Sequence, residues 1–226
     1  DYARARGIEV EYRKRIGQWF RGSASGAYSV ITGKSSTPDQ AVLVARGIED
    51  ESIKENYVVW DRPMQFNGKA TFTVLEDRPL FGFAPGILDD YTVYVHAFYQ
   101  SGKRYTPSNL DGTLPNGRPN YVSDRTNLLG GIGDGWFWID LNIEKHVRVA
   151  DLGFVLSLQV KNLLDARNSA IINQVTGRAY EYGDPTPSGW NDPLFPQLQY
   201  PVSAFPYNPA RYLAGRHVQV GLSMRF

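Results

Sequence analysis

The last ten residues, His217 to Phe226, constrain the fold more than any other stretch. Val218, Val220, Leu222, Met224 and Phe226 fall on one side of an extended chain; His217, Gln219, Gly221, Ser223 and Arg225 fall on the other. Side chains of a strand point alternately to its two faces, so this period of two predicts a β-strand with one apolar and one polar face. About ten alternating residues is also the length of one membrane-spanning strand, apolar toward lipid and polar toward a lumen. An amphipathic strand of a soluble sandwich has the same local pattern, so the decision rests on the rest of the chain.

The pattern recurs six times upstream. Gly7 to Arg15 sets Ile8, Val10 and Tyr12 against Glu9, Glu11 and Arg13, and a tight connection leads into Trp19 to Thr32, where Phe20, Ala24, Tyr28 and Val30 share a face. Gln65 to Leu75 sets Phe66, Ala70, Phe72 and Val74 against Asn67, Lys69, Thr71 and Thr73. Asp90 to Gln100 sets Tyr91, Val93, Val95, Ala97 and Tyr99 against Thr92, Tyr94, His96 and Gln100. Trp136 to Val147 alternates Phe137, Ile139, Leu141 and Ile143 with Trp138, Asp140, Asn142 and Glu144; Leu152 to Asn162 alternates Phe154, Leu156, Leu158 and Val160 with Ser157, Gln159 and Lys161.

Connection lengths alternate as well. Short links join the first strand to the second and the fifth to the sixth, and a link of modest length, Glu76 to Asp89, joins the third to the fourth. Long loops occupy about 33–64, 101–135 and 163–214. Long loops on one side and turns on the other is the arrangement of outer-membrane barrels, and three structureless loops of that size count against a compact soluble domain. With a periplasmic C-terminus, the loop 163–214 is extracellular. The expected fold is therefore an all-β, antiparallel transmembrane β-barrel, with residues 1–226 forming about seven of its strands. Seven cannot close alone, because bacterial barrels have an even count and an open edge in lipid leaves backbone groups unsatisfied. Either a strand lies within the first loop, for example Asn56 to Trp60, or the chain is the C-terminal part of a larger barrel.

Composition is compatible with this. The 226 residues carry a net charge of +1 and are 42% hydrophobic, and no run of about 18 apolar residues exists, which excludes a transmembrane helix but not a barrel. Without cysteine there is no disulfide framework or thiolate metal site, and near-zero net charge argues against a nucleic-acid partner. Asp1 begins mid-pattern, which predicts a processed chain or a piece of a longer one.

Five short motifs, in order along the chain, resemble the C-terminal third of the barrel of a TonB-dependent outer-membrane receptor. Arg6-Gly7-Ile8-Glu9-Val10 resembles that family's strand opening. Trp60-Asp61-Arg62-Pro63, followed by Phe66-Asn67-Gly68, is similar to the start of a later strand. Gln100-Ser101-Gly102-Lys103-Arg104-Tyr105-Thr106-Pro107 resembles the exit from the next, with Arg104 where the family has proline, a departure too small to disturb the assignment. Val160-Lys161-Asn162-Leu163-Leu164-Asp165 resembles the end of the penultimate strand. Asn208-Pro209 through Tyr212, Gly215-Arg216 and the final Phe226 resemble the family's ending. The resemblance implies a 22-stranded barrel with a plug in its lumen, set in the outer membrane of a Gram-negative-type bacterium and importing a nutrient ligand. Its implied partners are outer-membrane lipid, a plug domain of the same protein, and TonB through an N-terminal region that these residues do not include. Phe226 is implied as the assembly signal. Two alternatives stand beside it: a structural barrel that docks a surface lipoprotein or another outer-membrane subunit without energised uptake, and a small eight-stranded barrel.

Candidate site residues fall into two groups. Asp140, Asn142, Glu144, Gln159 and Lys161 are expected on the lumen side, facing a plug; Asp140 and Glu144 read as a ladder pairing with Lys161 or with a plug rather than as a catalytic pair. In the loops, Tyr105, Tyr180, Tyr182, Trp190, Phe195 and Tyr200 are candidates for stacking on a sugar or docked peptide, or for packing against neighbouring loops. His96, His146 and His217 take lumen-side or turn positions on separate strands, and Asn109 to Thr113 reads as an Asx turn more readily than a calcium turn, so no metal or cofactor is expected. No Gly-x-Ser-x-Gly, His-Glu-x-x-His or phosphate-binding glycine loop occurs, and enzymatic activity is not expected. Asp39 to Glu55 carries roughly helical spacing.

Overall fold

A computed structural model describes residues 3–34, 46, 55–75, 89–150, 152–181, 184–187 and 211–225. Within them the chain is all-β, mostly antiparallel, and contains no α-helix. The strands are β1 (Ala3–Ile16), β2 (Phe20–Gly33), β3 (Asn56–Tyr57), β4 (Met64–Val74), β5 (Tyr91–Gln100), β6 (Arg104–Tyr105), β7 (Ser108–Thr113), β8 (Pro119–Ser123), β9 (Gly131–Ile132), β10 (Trp136–Val149), β11 (Leu152–Lys161) and β12 (His217–Arg225). Seven long strands form one sheet in the order β1-β2-β4-β5-β10-β11-β12. The helical spacing of Asp39 to Glu55 falls almost entirely outside the described residues.

The seven expected strands are all present, within a few residues of their expected ends. The candidate within the first loop is only β3, two residues that continue along the end of β2 through Thr32↔Tyr57 and Gly33↔Asn56. Two residues span under 10 Å, so β3 is not an eighth stave. β1 and β12 are the edges of the sheet and do not pair with one another. The second long loop departs from the structureless expectation: β7 pairs with β8 in a hairpin and β6 pairs with β9. The hairpin takes in Asn109 to Thr113, with Gly112 at φ 71° and the Asp111 carbonyl accepting from Asn120 Nδ2.

Register aligns the alternation across strands. Ile8 lies opposite Tyr28, Tyr28 opposite Met64, Phe66 opposite Tyr99, Tyr99 opposite Phe137, Leu158 opposite Val220 and Leu156 opposite Leu222. All belong to one face, and much of that face is uncovered: Ile8 is 72% exposed, Val220 75% and Leu222 66%, although Val74 and Val160 on it are buried. Charged side chains bound it, with Arg4 and Arg6 at the end nearest the long loops, and Lys14 and Lys145 at the end of the short turns. Lys145 pairs there with Asp89 at 3.1 Å. The turns are tight because left-handed residues close them, Gly17 at φ 52° between β1 and β2 and Ala150 at φ 54° between β10 and β11.

A single sheet has no second layer against which to bury its apolar face. The interior lies instead among the connections at the loop end, where Val58, Asp61 and Asn173 are wholly buried and Arg104, Ser108, Asn162, Asn168, Ser169, Ala179 and Tyr180 nearly so. Gly102 permits the tightest approach there, since a Cβ on it would lie 2.0 Å from the Gly133 carbonyl oxygen, while Gly133 N–H donates to the Lys103 carbonyl at 2.9 Å. Gly102→Ala is expected to cost about 1–3 kcal/mol through forced backbone displacement, read as lost amide-exchange protection at Gly133 with protection in β10 and β11 unchanged.

Candidate functional site

The loop end is organised by one ion pair. Asp61 follows Trp60 in the turn before β4, and Arg104 opens β6 beyond β5. Both Nε and Nη2 of Arg104 lie 2.9 Å from Asp61 Oδ2, with the side chains 5% and 0% exposed. The other carboxylate oxygen accepts the Ile31 N–H at 3.1 Å, Arg104 Nη1 donates to the Gly130 carbonyl at 3.3 Å, and the guanidinium stacks 3.7 Å over the Tyr57 ring. One arginine thus joins the end of β2, the first loop and both ends of the second. Read from sequence, Arg104 is an incidental departure from a motif; in the structure it is the centre of the loop assembly. Charges set among glycine, proline and aromatic residues were the available signal, but their pairing across 43 positions was not legible.

The third loop docks through side-chain amides. Asn168 donates to the Phe137 carbonyl at 3.0 Å and accepts the Phe137 N–H at 2.7 Å, supplying the hydrogen bonds of a neighbouring strand where β11 has ended. Asn162, left-handed at φ 50°, donates its backbone N–H to Asp140 Oδ1 at 2.9 Å and brackets Ala166 with its amide. Trp136 Nε1 donates to the Ser169 carbonyl at 2.7 Å, Lys103 Nζ to the Ala170 carbonyl at 2.9 Å, and Arg211 to the Tyr180 carbonyl at 2.9 Å. Among the described residues, no buried side-chain polar atom lacks a partner.

Of the aromatic loop candidates, Tyr180 is 3% exposed and packed within this assembly, so its ring is not presented to solvent for stacking. Tyr105 is half-buried, its ring against Gly131 and its hydroxyl toward Gly177; burial first, and the charge of Asp134 second, push its phenol up. Tyr182, Trp190, Phe195 and Tyr200 lie outside the described residues, as does Phe226.

The polar face carries the other group. Register places Asn142 opposite Gln159 and Glu144 opposite Ser157, with Lys161 opposite His217. Asn142 Nδ2 donates to Glu144 Oε1 at 3.2 Å. Lys161 pairs with neither carboxylate; Asp140 Oδ1 instead accepts the backbone N–H of Asn162. The same face holds a Phe98–Trp138 stack, centroids 4.3 Å apart and 24° from parallel, and His96 within 3.2 Å of Asn67 Oδ1. Toward the turn end it hollows into a basin of about 740 Å³ lined by Arg13, Arg15, Arg21, Lys69 and Glu11. The three histidines do not converge, and among the described residues no three of His, Asp and Glu are grouped to hold a metal.

At the loop end of the polar face, Arg62 Cζ and Lys103 Nζ lie 5.8 and 5.9 Å from the centroid of the Trp136 ring. Burial lowers the Lys103 pKa, with the positive charge of Arg62 adding to it; burial likewise lowers that of Arg62, against the pull of Asp61. These three residues were not singled out from sequence.

The chain matches no family model, no curated protein and no solved structure, and no helix among the described residues is long and apolar enough to cross a membrane.

Arg104→Met leaves Asp61 as an uncompensated buried charge and is expected to cost about 3–5 kcal/mol. In a double-mutant cycle, adding Asp61→Asn should recover part of that loss, with Ile31 amide exchange and protease resistance of the loops as readouts. At the surface, the Thr126 hydroxyl, then its N–H, hold the Asp124 carboxyl below its usual value. A depressed carboxyl pKa stabilises above the unfolded value and ceases to do so as pH falls through the folded one. Thr126 N–H protection should therefore persist at neutral pH and fade in acid, checked by amide exchange across the carboxylate range.

Proposed function

We propose that this chain forms C-terminal staves of an outer-membrane β-barrel of the TonB-dependent receptor type, which binds and imports a nutrient ligand. The observation that carries this reading is the apolar face that runs across all seven long strands and is exposed over much of its extent. A water-soluble sheet would leave Ile8, Val10, Tyr28, Phe66, Leu156, Val220 and Leu222 facing solvent together, a patch of a size associated with a membrane or protein partner. Bilayer lipid is the partner whose geometry fits. The apolar band ends in the arginines and lysines that bound it, which reach polar headgroups while their stems stay in the apolar layer, and Tyr91 and Tyr99 bracket β5 where interfacial tyrosines sit.

In this reading the polar face lines the lumen and meets a plug domain of the same protein, the long loops face outward, and TonB engages a region upstream. The two-residue β3 and the unpaired edges of β1 and β12 favour a larger barrel, closed by further strands, over a self-contained eight-stranded one. The packed loop assembly at one end suits ligand or partner recognition, because its polar groups are fixed before anything binds.

Leu156→Arg or Leu222→Arg, near mid-bilayer, should cost about 2–4 kcal/mol in a lipid-refolding titration of the full-length protein, and Gln159→Arg far less; equal losses at both kinds of site would sink the facing assignment. The intact mass of the polypeptide extracted from outer membranes should lie several-fold above 25.4 kDa, whereas a mass near that value would remove the receptor reading.

A further inference from the structure

Arg62 and Lys103 come from different connections, one just before β4 and the other just after β5, yet both reach the indole of Trp136 at the start of β10. Among the described residues their hydrogen bonds go to backbone carbonyls, Arg62 to Val59 and Asp61 at 3.4 and 3.2 Å and Lys103 to Ala170 at 2.9 Å, and neither forms an ion pair. The nearby Asp61 carboxylate is already held by Arg104 on one oxygen and by the Ile31 N–H on the other. Two half-buried like charges gathered on one aromatic ring carry a desolvation cost and a mutual repulsion that the neighbouring Asp61 offsets only in part at Arg62. An arriving anion relieves both.

We propose that Arg62 and Lys103, set about Trp136, form a binding subsite for a small organic acid that joins a carboxylate to a flat ring. The two cations divide the work by their chemistry. A guanidinium offers parallel N–H donors matched to the two oxygens of a carboxylate, and an ammonium adds a compact point charge. The ring of the ligand is received further down the same face. Trp138 lies two residues along β10, about 7 Å away, stacked on Phe98, and Gln100 sits opposite Trp136 in the register. Aromatic surface below and positive charge above is an amphipathic arrangement that a bare inorganic anion uses only in part.

This assignment deepens the receptor reading by naming a ligand class and rests on it only for the ligand's route of arrival; equilibrium binding in detergent requires neither uptake nor a membrane, so the two fail separately. The test is a calorimetric and tryptophan-fluorescence titration of the full-length detergent-solubilised protein with 4-hydroxybenzoate, its neutral amide and inorganic phosphate at constant ionic strength. The carboxylate should bind saturably and perturb indole emission, with the amide and phosphate each at least about tenfold weaker, as loss of a charge-assisted pair or of the ring contact demands. Arg62→Gln should weaken the carboxylate about tenfold with little effect on the amide, and Arg62→Lys should restore part of the loss. Absence of saturable carboxylate binding, or equal binding of the amide, overturns the proposal. Equal binding of phosphate overturns the ring-bearing ligand. Because the comparison of carboxylate with amide uses the unaltered protein, it decides the matter even if Arg62→Gln fails to fold.

Discussion

Everything in this structure depends on an antiparallel ladder whose register keeps two incompatible faces apart. In a period-two element a slip by one residue would exchange every side chain between the faces. Here it would move Ile8, Leu156 and Val220 to the side of Glu9, Ser157 and Gln219. The tight turns at Gly17 and Ala150 fix that register at one end, and the loop assembly fixes it at the other through Asn168, whose side-chain amide bonds the Phe137 backbone of β10, and Asn162, whose backbone N–H bonds Asp140. The sheet is thus pinned at both ends although much of its broad apolar face is left exposed among the described residues.

The loop assembly inverts the usual distribution of chemistry, with a polar interior and an apolar exterior. Asp61 and Arg104 are buried among backbone carbonyls and a tyrosine ring, where an ion pair gains little over an apolar alternative but a lone charge is very costly. Such a pair specifies an arrangement more than it adds stability: only one relative placement of the first and second loops satisfies both partners. Around it, asparagine and serine side chains complete backbone hydrogen bonds that irregular chain would otherwise leave open.

How much of this could be read from sequence follows from the physics of each part. Strand positions and faces were legible because alternation is local: Val218 to Met224 and Phe137 to Ile143 declare their sides within a few residues. The substructure of the second loop was not, since β6 and β9 are two residues each and their pairing depends on Gly102 and Gly133 approaching across the loop. The lumen-side expectation for Asp140, Asn142, Glu144 and Gln159 followed from parity, and register does place them on one face; the partner of Asp140 did not follow, because Asn162 takes its carboxylate by turning left-handed at the strand end. The roles of Asp61, Arg104, Arg62, Lys103 and Trp136 were not legible for one shared reason. Each acts through residues distant in sequence, and no periodicity reports such a meeting.

The tip of the β7–β8 hairpin stands apart from the packed loops, although Ser108 at its base bonds Gln174. Leu110 and Val122 on it are largely exposed, and its tip closes on itself through Leu114 N–H to the Arg118 carbonyl and Gly117 N–H to the Leu114 carbonyl. A tip that satisfies its own backbone transmits little of its length to what lies below it. Residues around Asn116 and Gly117 are accordingly a place where foreign sequence, such as an epitope or an affinity tag, can be carried while the ion-paired assembly beneath keeps its shape.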